Sequence, residues 1–596
     1  MHNIENLLKI YKTSTYLQNL LYDSYNINDD IAELFKTTFN ELKLNITYKK
    51  YIKYLLNLIA NHKNIRYTTK NIFLYVKLAD YFQLDIQDNF FLFIINKYIF
   101  KQNLFYDKLY QYNPINYYIL DKFSKKNNIS NTTFSYIFKI NNTICNEIKT
   151  LYSKHIEQNL LNKCNFIVNL NISDNCNITN VNHLQMLDVL DISGDCSVCQ
   201  DGILKLLTIT KLNVCNNCNI TNVNHLQEIV NLNISGSCGV NQNGISLLRL
   251  VKKLNACDND KITNVNHLQL LVTLDISKKC GVKQNGISTL LFVKKLNAHD
   301  NNEIKNANHL KLLMNLNISK HYCNHNYNYN YTQNSISQLQ FIKKLNVSDN
   351  NSINNVNNLQ LLTDLNISGS NCGVNQNDIS QLVLVKKINI SHNRKITNVN
   401  HMQLLVELNA SNWCGVDQNG ISQLQSVKIL DVSNNNKITN INHLKLLVDL
   451  NISYENCGVD QNGISQLLFI KKINADNNCK ITNVNHLKLL TNLNISCVSC
   501  GVNQNGISQL LFVKELDASS NEQILNVNHL QLLINLDIRH FYDDDCGVDQ
   551  CGISQLLLIK KLYVSKNLKI TNVDHLKLLK NVNGFKKPFT VEKLIN

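Results

Sequence analysis

Proline is nearly absent from this chain, with two in 596 residues, alongside one tryptophan, four methionines and eighteen glycines. So few chain-breaking residues exclude collagen-like, mucin-like and flexible-linker architectures. A run of about eighteen apolar residues, enough to cross a membrane as a helix, is also missing. The strongest candidate, Phe90–Phe100, carries Asn96 and Lys97 inside it. Met1–Asn28 alternates polar and apolar residues without an apolar signal region, so a soluble chain with no secretory address is expected. Charge is sparse, at 17% of residues, and its net value of +15 permits an acidic partner without demanding one. Hydrophobic residues make up 44%, which excludes wholesale disorder. The length exceeds what one compact core supports.

Nineteen cysteines would suggest a disulfide framework in a secreted protein. Acceptor triplets such as Asn233-Ile-Ser, Asn317-Ile-Ser and Asn494-Ile-Ser recur along the chain and would place glycans on successive segments. A reducing cytosol makes both features harmless, and a cytoplasmic location is expected. The excess of Asn, Ile, Lys and Tyr is the composition of an AT-rich genome, that of a eukaryote or of a large DNA virus; a viral product would sit in the host cytoplasm.

Internal repetition decides most of the architecture. The phrase Ile-Thr-Asn-Val-Asn-His-Leu and its variants place a histidine at 183, 225, 267, 309, 401, 443, 486, 529 and 575, with Asn358 taking the missing turn. The step is about 42 residues and lengthens where His321–Tyr331 is inserted. Each unit divides into two halves. One reads Leu271-x-x-Leu274-Asp-Ile276-Ser, then Cys280-Gly-Val and Gln284-Asn-Gly-Ile287. The other reads Val293-Lys-Lys-Leu296-Asn-Ala298, then Asp300-Asn-Asn-Glu-Ile304. Alternation over Leu-x-Ile predicts a short strand with one buried face, followed by a turn and a short return segment.

This pattern resembles the leucine-rich repeat family, L-x-x-L-x-L-x-x-N, whose period is about 20–29 residues. The Cys280 half is similar to the cysteine-containing variety, with its cysteine displaced by one residue. Strand centres from Leu170 to Leu562 predict about nineteen coils, with a partial one near Leu578–Val582. The resemblance implies an α/β fold, a leucine-rich-repeat solenoid over 165–583 with a tail at 584–596. In such a stack each coil buries its apolar face against its neighbours, and the turn asparagines satisfy main-chain groups that would otherwise lack partners.

Residues 1–164 lack the repeat. Apolar residues recur at helical spacing in Tyr51–Ala60, Asn71–Phe82 and Ile86–Phe100, predicting a mainly helical N-terminal domain. The phrase Leu78-Ala-Asp-Tyr-Phe-Gln-Leu84 and the Tyr/Leu-rich stretch after Ile46 are similar to the second half of a BTB/POZ domain. That resemblance implies oligomerisation and docking to a cullin-type ubiquitin ligase. The alternative is a helical cap on the solenoid.

Cys196-x2-Cys199-x15-Cys215-x2-Cys218 matches a zinc-ribbon spacing. However, Cys176, Cys196, Cys218 and Cys238 all follow their strand leucines by the same interval, which predicts a straight ladder of buried free thiols unable to enclose one ion. Equivalent histidines lie about 9–10 Å apart, two coils, too far to share a metal, and are expected to hydrogen-bond locally on the return side. No metal site and no cofactor are expected, and no nucleotide loop or catalytic signature appears.

Lysine pairs supply a basic stripe recurring every two coils, with Lys253, Lys295, Lys344, Lys387, Lys472 and Lys561 before the second strand of their units. The irregular spots are Tyr322, Tyr327, Tyr329 and Tyr331 in the insertion, then Trp413, Tyr454, Arg539 and Tyr542. Large aromatics and arginine dominate binding hot spots, so these are the candidate partner contacts. The expected function is a non-catalytic protein-interaction scaffold. Its alternatives are a substrate-recruiting adaptor of a cullin-type ubiquitin ligase, and a nucleic-acid or anionic-surface binder using the lysine stripe. Without aromatics to stack bases, nucleic acid is not the expected partner, and neither is a membrane.

Overall fold

The computed structural model describes residues 149–320, 333–540, 547–579 and 581–583. The chain divides into two compact units, Met1–Ile167 and Val168–Asn596. In the first, the described residues form a strand, Thr150–Tyr152, and one helical turn, Gln158–Leu161, with Leu151, Ile156, Leu160 and Leu161 buried. The segments that carry the BTB resemblance and the helical spacing lie outside the described residues.

The second unit is a stack of three-residue parallel strands running from Asn169–Asn171 to Asn581–Asn583. Each strand is in register with the next: Leu254 faces Leu274, which faces Leu296, and the pattern continues through Leu536 and Leu562. All nineteen expected strand centres are present, and Val582 centres a twentieth.

Two coil types alternate, and the residue at the turn distinguishes them. Asn coils run from a Lys-Leu-Asn strand through a buried asparagine such as Asn259. Cys coils run from a strand such as Thr273–Asp275 through a buried cysteine such as Cys280 and a short 3-10 turn, Gln284–Ile287. Between strands the inward side chains are Ile, Val and Leu, almost all with no exposed surface. These rows form one continuous core that no coil could build alone.

The expected α/β character is not what the described residues show. The return segments contain only 3-10 turns and one-turn helices, such as Gln461–Ile464 and Gln504–Ile507. A coil of about 20 residues has no length left for a longer helix once strand and turns are placed.

Close stacking depends on two glycine places in the Cys coil, both filled in the coil of Cys280, whereas Ser197, Ser335 and Asp378 each replace one elsewhere. A Cβ on Gly281 would sit 2.1 Å from the Asp260 carbonyl oxygen, and one on Gly286 2.5 Å from that of Thr263. Both neighbours are main chain of the preceding coil, so neither can swing aside.

Candidate interaction surface

Most polar side chains in the repeat connect one coil to the next. Asn259 donates to the carbonyls of Ile234 (2.7 Å) and Val240 (3.2 Å) in the preceding coil and accepts from the Lys261 amide. Asn301, Asn393, Asn435, Asn478, Asn521 and Asn567 do the same in their own coils. Glutamine reaches forward: Gln284 accepts from the amides of Lys305 and Asn306 and donates to the Asn306 carbonyl. Buried main-chain groups are thereby satisfied, as a water-free turn requires.

The histidine row has the same purpose. His267 Nε2 lies 2.9 Å from the carbonyl of Ile245, one coil back, and His309, His401, His443, His486, His529 and His575 repeat the contact. A carbonyl only accepts, so Nε2 carries the proton. The contact crosses between coils rather than staying within one return segment. Burial lowers the pKa of His267, His309 and His486 and keeps the ring neutral. Asn358 replaces the ring with its amide and donates to the Ser337 carbonyl.

The cysteine ladder differs from its expectation. Cys196 and Cys238 are buried, whereas Cys176 and Cys218 are exposed. The Asn turn is one residue shorter, so Asn217 takes the inward place and Cys218 faces out. The buried ladder therefore occupies alternate coils, continuing through Cys280, Cys372, Cys414, Cys457 and Cys500. The Cys457 thiol lies 3.5 Å from the Val432 carbonyl, a weak counterpart of the asparagine bond. Desolvation pushes these thiols up, Cys196 and Cys238 to about 11 and Cys280 and Cys500 to about 12.

With the repeat residues accounted for, the exceptions stand on the strand face and the edge where the chain leaves the strand. That edge needs a left-handed residue: glycine fills the place at Gly194, Gly236 and Gly369, and Lys278, Asn412 and Cys497 fill it at φ 60, 56 and 80. Tyr454 occupies it at φ 76, and Trp413, one residue further on, is held at φ 54. Both side chains are half exposed. The repeat imposes this conformation, and a bulky residue meets it at a cost of about 1–2 kcal/mol that glycine or asparagine would largely avoid.

Arg539 is fixed rather than free. Its guanidinium makes a forked pair with Asp537, Nε at 2.9 Å and Nη2 at 2.6 Å, and lies 5.4 Å from the Tyr563 ring centroid. The pair with Asp537 raises the arginine's pKa. Beside it, the strands from Asp449 to Tyr563 line a cavity of about 300 Å³ whose walls include Asp449, Lys472, Glu515, Asp517 and Asp537. Burial raises the Asp517 pKa, with the neighbouring Asp537 charge adding to it. These carboxylates were not singled out from the sequence. The available signal was acid in place of Asn at the equivalent strand position of two consecutive coils, Asp517 and Asp537, where earlier coils have such an acid singly, as at Asp191, Asp275 and Asp431.

The lysines that open strands are exposed, but the row is mixed in sign. Lys344 pairs with Asp364 at 2.9 Å, Lys387 with Glu407 at 2.7 Å, and Lys472 lies 4.0 Å from Asp449. Lys253, Lys295 and Lys561 stand at the equivalent position in their strands. Tyr322, Tyr327, Tyr329, Tyr331 and Tyr542 lie outside the described residues. Among the described residues, no group of three or more His, Cys, Asp or Glu side chains is placed to hold a metal ion.

No family model matches the sequence, and no curated protein matches it. Solved structures do. The functional domain of InlJ from Listeria monocytogenes, described as including a cysteine ladder, is 14% identical over 68% of this chain and 75% of its own, with a TM-score of 0.29. The mouse RP105/MD-1 complex is 13% identical over 72% and 88%, with a TM-score of 0.38. A leucine-rich-repeat protein of Leptospira interrogans is 17% identical over 67% and 91%, with a TM-score of 0.29.

Proposed function

We propose that this chain is a non-catalytic scaffold of leucine-rich-repeat type that binds a protein partner through the strand face and the strand-leaving edge of its solenoid. The observation that carries the reading is the placing of Trp413 and Tyr454. Each is half exposed and holds a backbone conformation that glycine or asparagine would adopt at lower cost. They lie two coils apart, about 10 Å along the stack, which suits a pair of aromatic anchors. The Arg539–Tyr563 pair and the adjoining acidic cavity extend the same face toward its end.

The catalytic alternative has little support. The polar residues that recur are engaged in coil-to-coil hydrogen bonds, and the buried thiols are held protonated. The adaptor reading depends on residues 46–84, and a cullin among recovered proteins would support it.

Affinity purification of the full chain, followed by mass spectrometry, tests the proposal when repeated with Trp413→Ser and Tyr454→Ser. A specific protein recovered with the wild type and lost with both variants is the expected result. Equal recovery with all three chains would remove these residues from the interface.

A further inference from the structure

The solenoid has a second unusual edge, where the return segment enters the strand. The position four residues before each strand centre is apolar in every coil from Leu250 to Leu578 except at Ser426. These side chains do not face the core. Phe292, Phe341, Phe469 and Phe512 are about half exposed, as are intervening leucines such as Leu361 and Leu489. Their neighbours one residue later, such as Val293 and Val513, are fully buried. In-register stacking therefore builds an apolar row about 70 Å long, at about 4.8 Å per coil, interrupted at Ser426 and exposed except at Leu532 and Leu558. Contiguous apolar surface on that scale marks a binding surface.

A row of lysines runs beside it. The position two residues before the strand centre is lysine in every second coil from Lys252 to Lys560, and each is exposed. The intervening coils carry Val, Thr, Met or Ile there, and the row's sole carboxylate is Asp188, at its far end. None of these lysines is in an ion pair among the described residues, unlike the mixed row at the strand openings. On the other flank, Lys311, Lys445 and Lys488 precede exposed leucines in the Asn coils.

We infer that this edge docks on the surface of a lipid bilayer rich in anionic headgroups, with the Leu/Phe row entering the headgroup boundary and the lysines meeting phosphate and carboxylate groups. Three features select that occupant. The lysine row on one flank, with Lys311, Lys445 and Lys488 on the other, opposes a second copy of the same edge. Apart from Ser426, the row repeats only Leu and Phe at one spacing, so little in it fixes the register of a folded partner, whereas a fluid surface requires no register. Apolar side chains beside lysines are the composition of interfacial anchoring. Peripheral docking of this kind needs no spanning segment, and among the described residues no helix is long and apolar enough to cross a membrane.

The test is flotation of the full chain with vesicles of phosphatidylcholine alone and with about 30% phosphatidylserine added. Binding is expected only to the anionic vesicles and falls as salt rises. Each lysine near the surface strengthens partition by roughly fivefold, so Lys294→Gln/Lys343→Gln/Lys471→Gln should lower it by about two orders of magnitude. Phe292→Ser/Phe469→Ser/Phe512→Ser should abolish it. All six side chains are exposed, and an unchanged circular dichroism spectrum will show that both variants fold. The one tryptophan provides a control that needs no variant. Trp413 stands past the strand on the leaving edge, so brominated lipid should leave its emission unquenched in the bound state. Binding unaffected by either triple variant, equal binding to neutral vesicles, or strong Trp413 quenching would overturn the assignment. So would absence of vesicle binding together with an edge-dependent dimer or an edge-dependent acidic protein partner.

Discussion

Replacing Asn435 with alanine removes three hydrogen bonds from one turn of the solenoid. The side chain has no exposed surface, donates to the carbonyls of Ala410 (2.8 Å) and Val416 (3.1 Å), and accepts from the Lys437 amide at 3.0 Å. Alanine leaves these main-chain groups in a turn that water does not reach. At about 1 kcal/mol for each lost bond the cost is about 3 kcal/mol, and incomplete relaxation would raise it further. In a stack stabilised by neighbouring coils the loss stays local, and it corresponds to roughly a 150-fold rise in opening of the coils that meet at Asn435. Hydrogen exchange read by mass spectrometry resolves this directly. Peptides covering residues 408–440 should exchange about two orders of magnitude faster, while peptides four or more coils away keep their wild-type rates. A change below threefold would show that the asparagine bonds are not what closes the turn. An equal loss of protection along the whole array would refute the nearest-neighbour picture.

Three further outcomes follow from the same geometry. Tyr454→Gly should stabilise its turn by about 1 kcal/mol, because glycine adopts φ 76 without strain and the lost side chain is half exposed; Tyr454→Ala should not, and urea unfolding followed by circular dichroism separates them. Burial lowers the folded-state pKa of His267, His309 and His486, so below about pH 6.5 the unfolded chain takes up protons first. Stability should be full above that pH and decline as pH falls toward the lowered folded values, and a His267→Gln/His309→Gln/His486→Gln chain should lose part of that slope in urea titrations. Iodoacetamide at pH 8 should modify the exposed Cys176, Cys199, Cys218, Cys479 and Cys551 in the native chain. Cys280, Cys414, Cys457 and Cys500, buried and pushed to about 11 or 12, should remain unmodified until it is denatured.

Strand centres and turn asparagines were legible in the sequence because both depend on local spacing. Leu170 through Leu562 sit where alternation over Leu-x-Ile places them, and Asn259 or Asn435 follows at a constant interval. The cysteines misled because two turn types differ in length by one residue. Cys218 and Cys238 lie equally far from their strand leucines, yet only Cys238 points inward. The exposed apolar row was hidden for a related reason. Leu270 and Leu271 are adjacent and chemically identical, and only the return-segment geometry turns the first outward. The mixed sign of the strand-opening row depends on neighbours about 20 residues away, as with Lys387 and Glu407. Such pairs appear once the coils are laid in register. For Trp413 and Tyr454 the sequence marked the residues, and the structure added the strained backbone that argues for their use.

Hydroxyl-radical footprinting of the full chain, free and bound to its co-purified protein partner, tests the central claim most directly. Protection of Trp413 and Tyr454, with Phe292, Phe469 and Phe512 as reactive as in the free chain, is the expected result. Unchanged reactivity at Trp413 and Tyr454 in the bound state would contradict the proposal that the strand face and its leaving edge form the protein-binding surface.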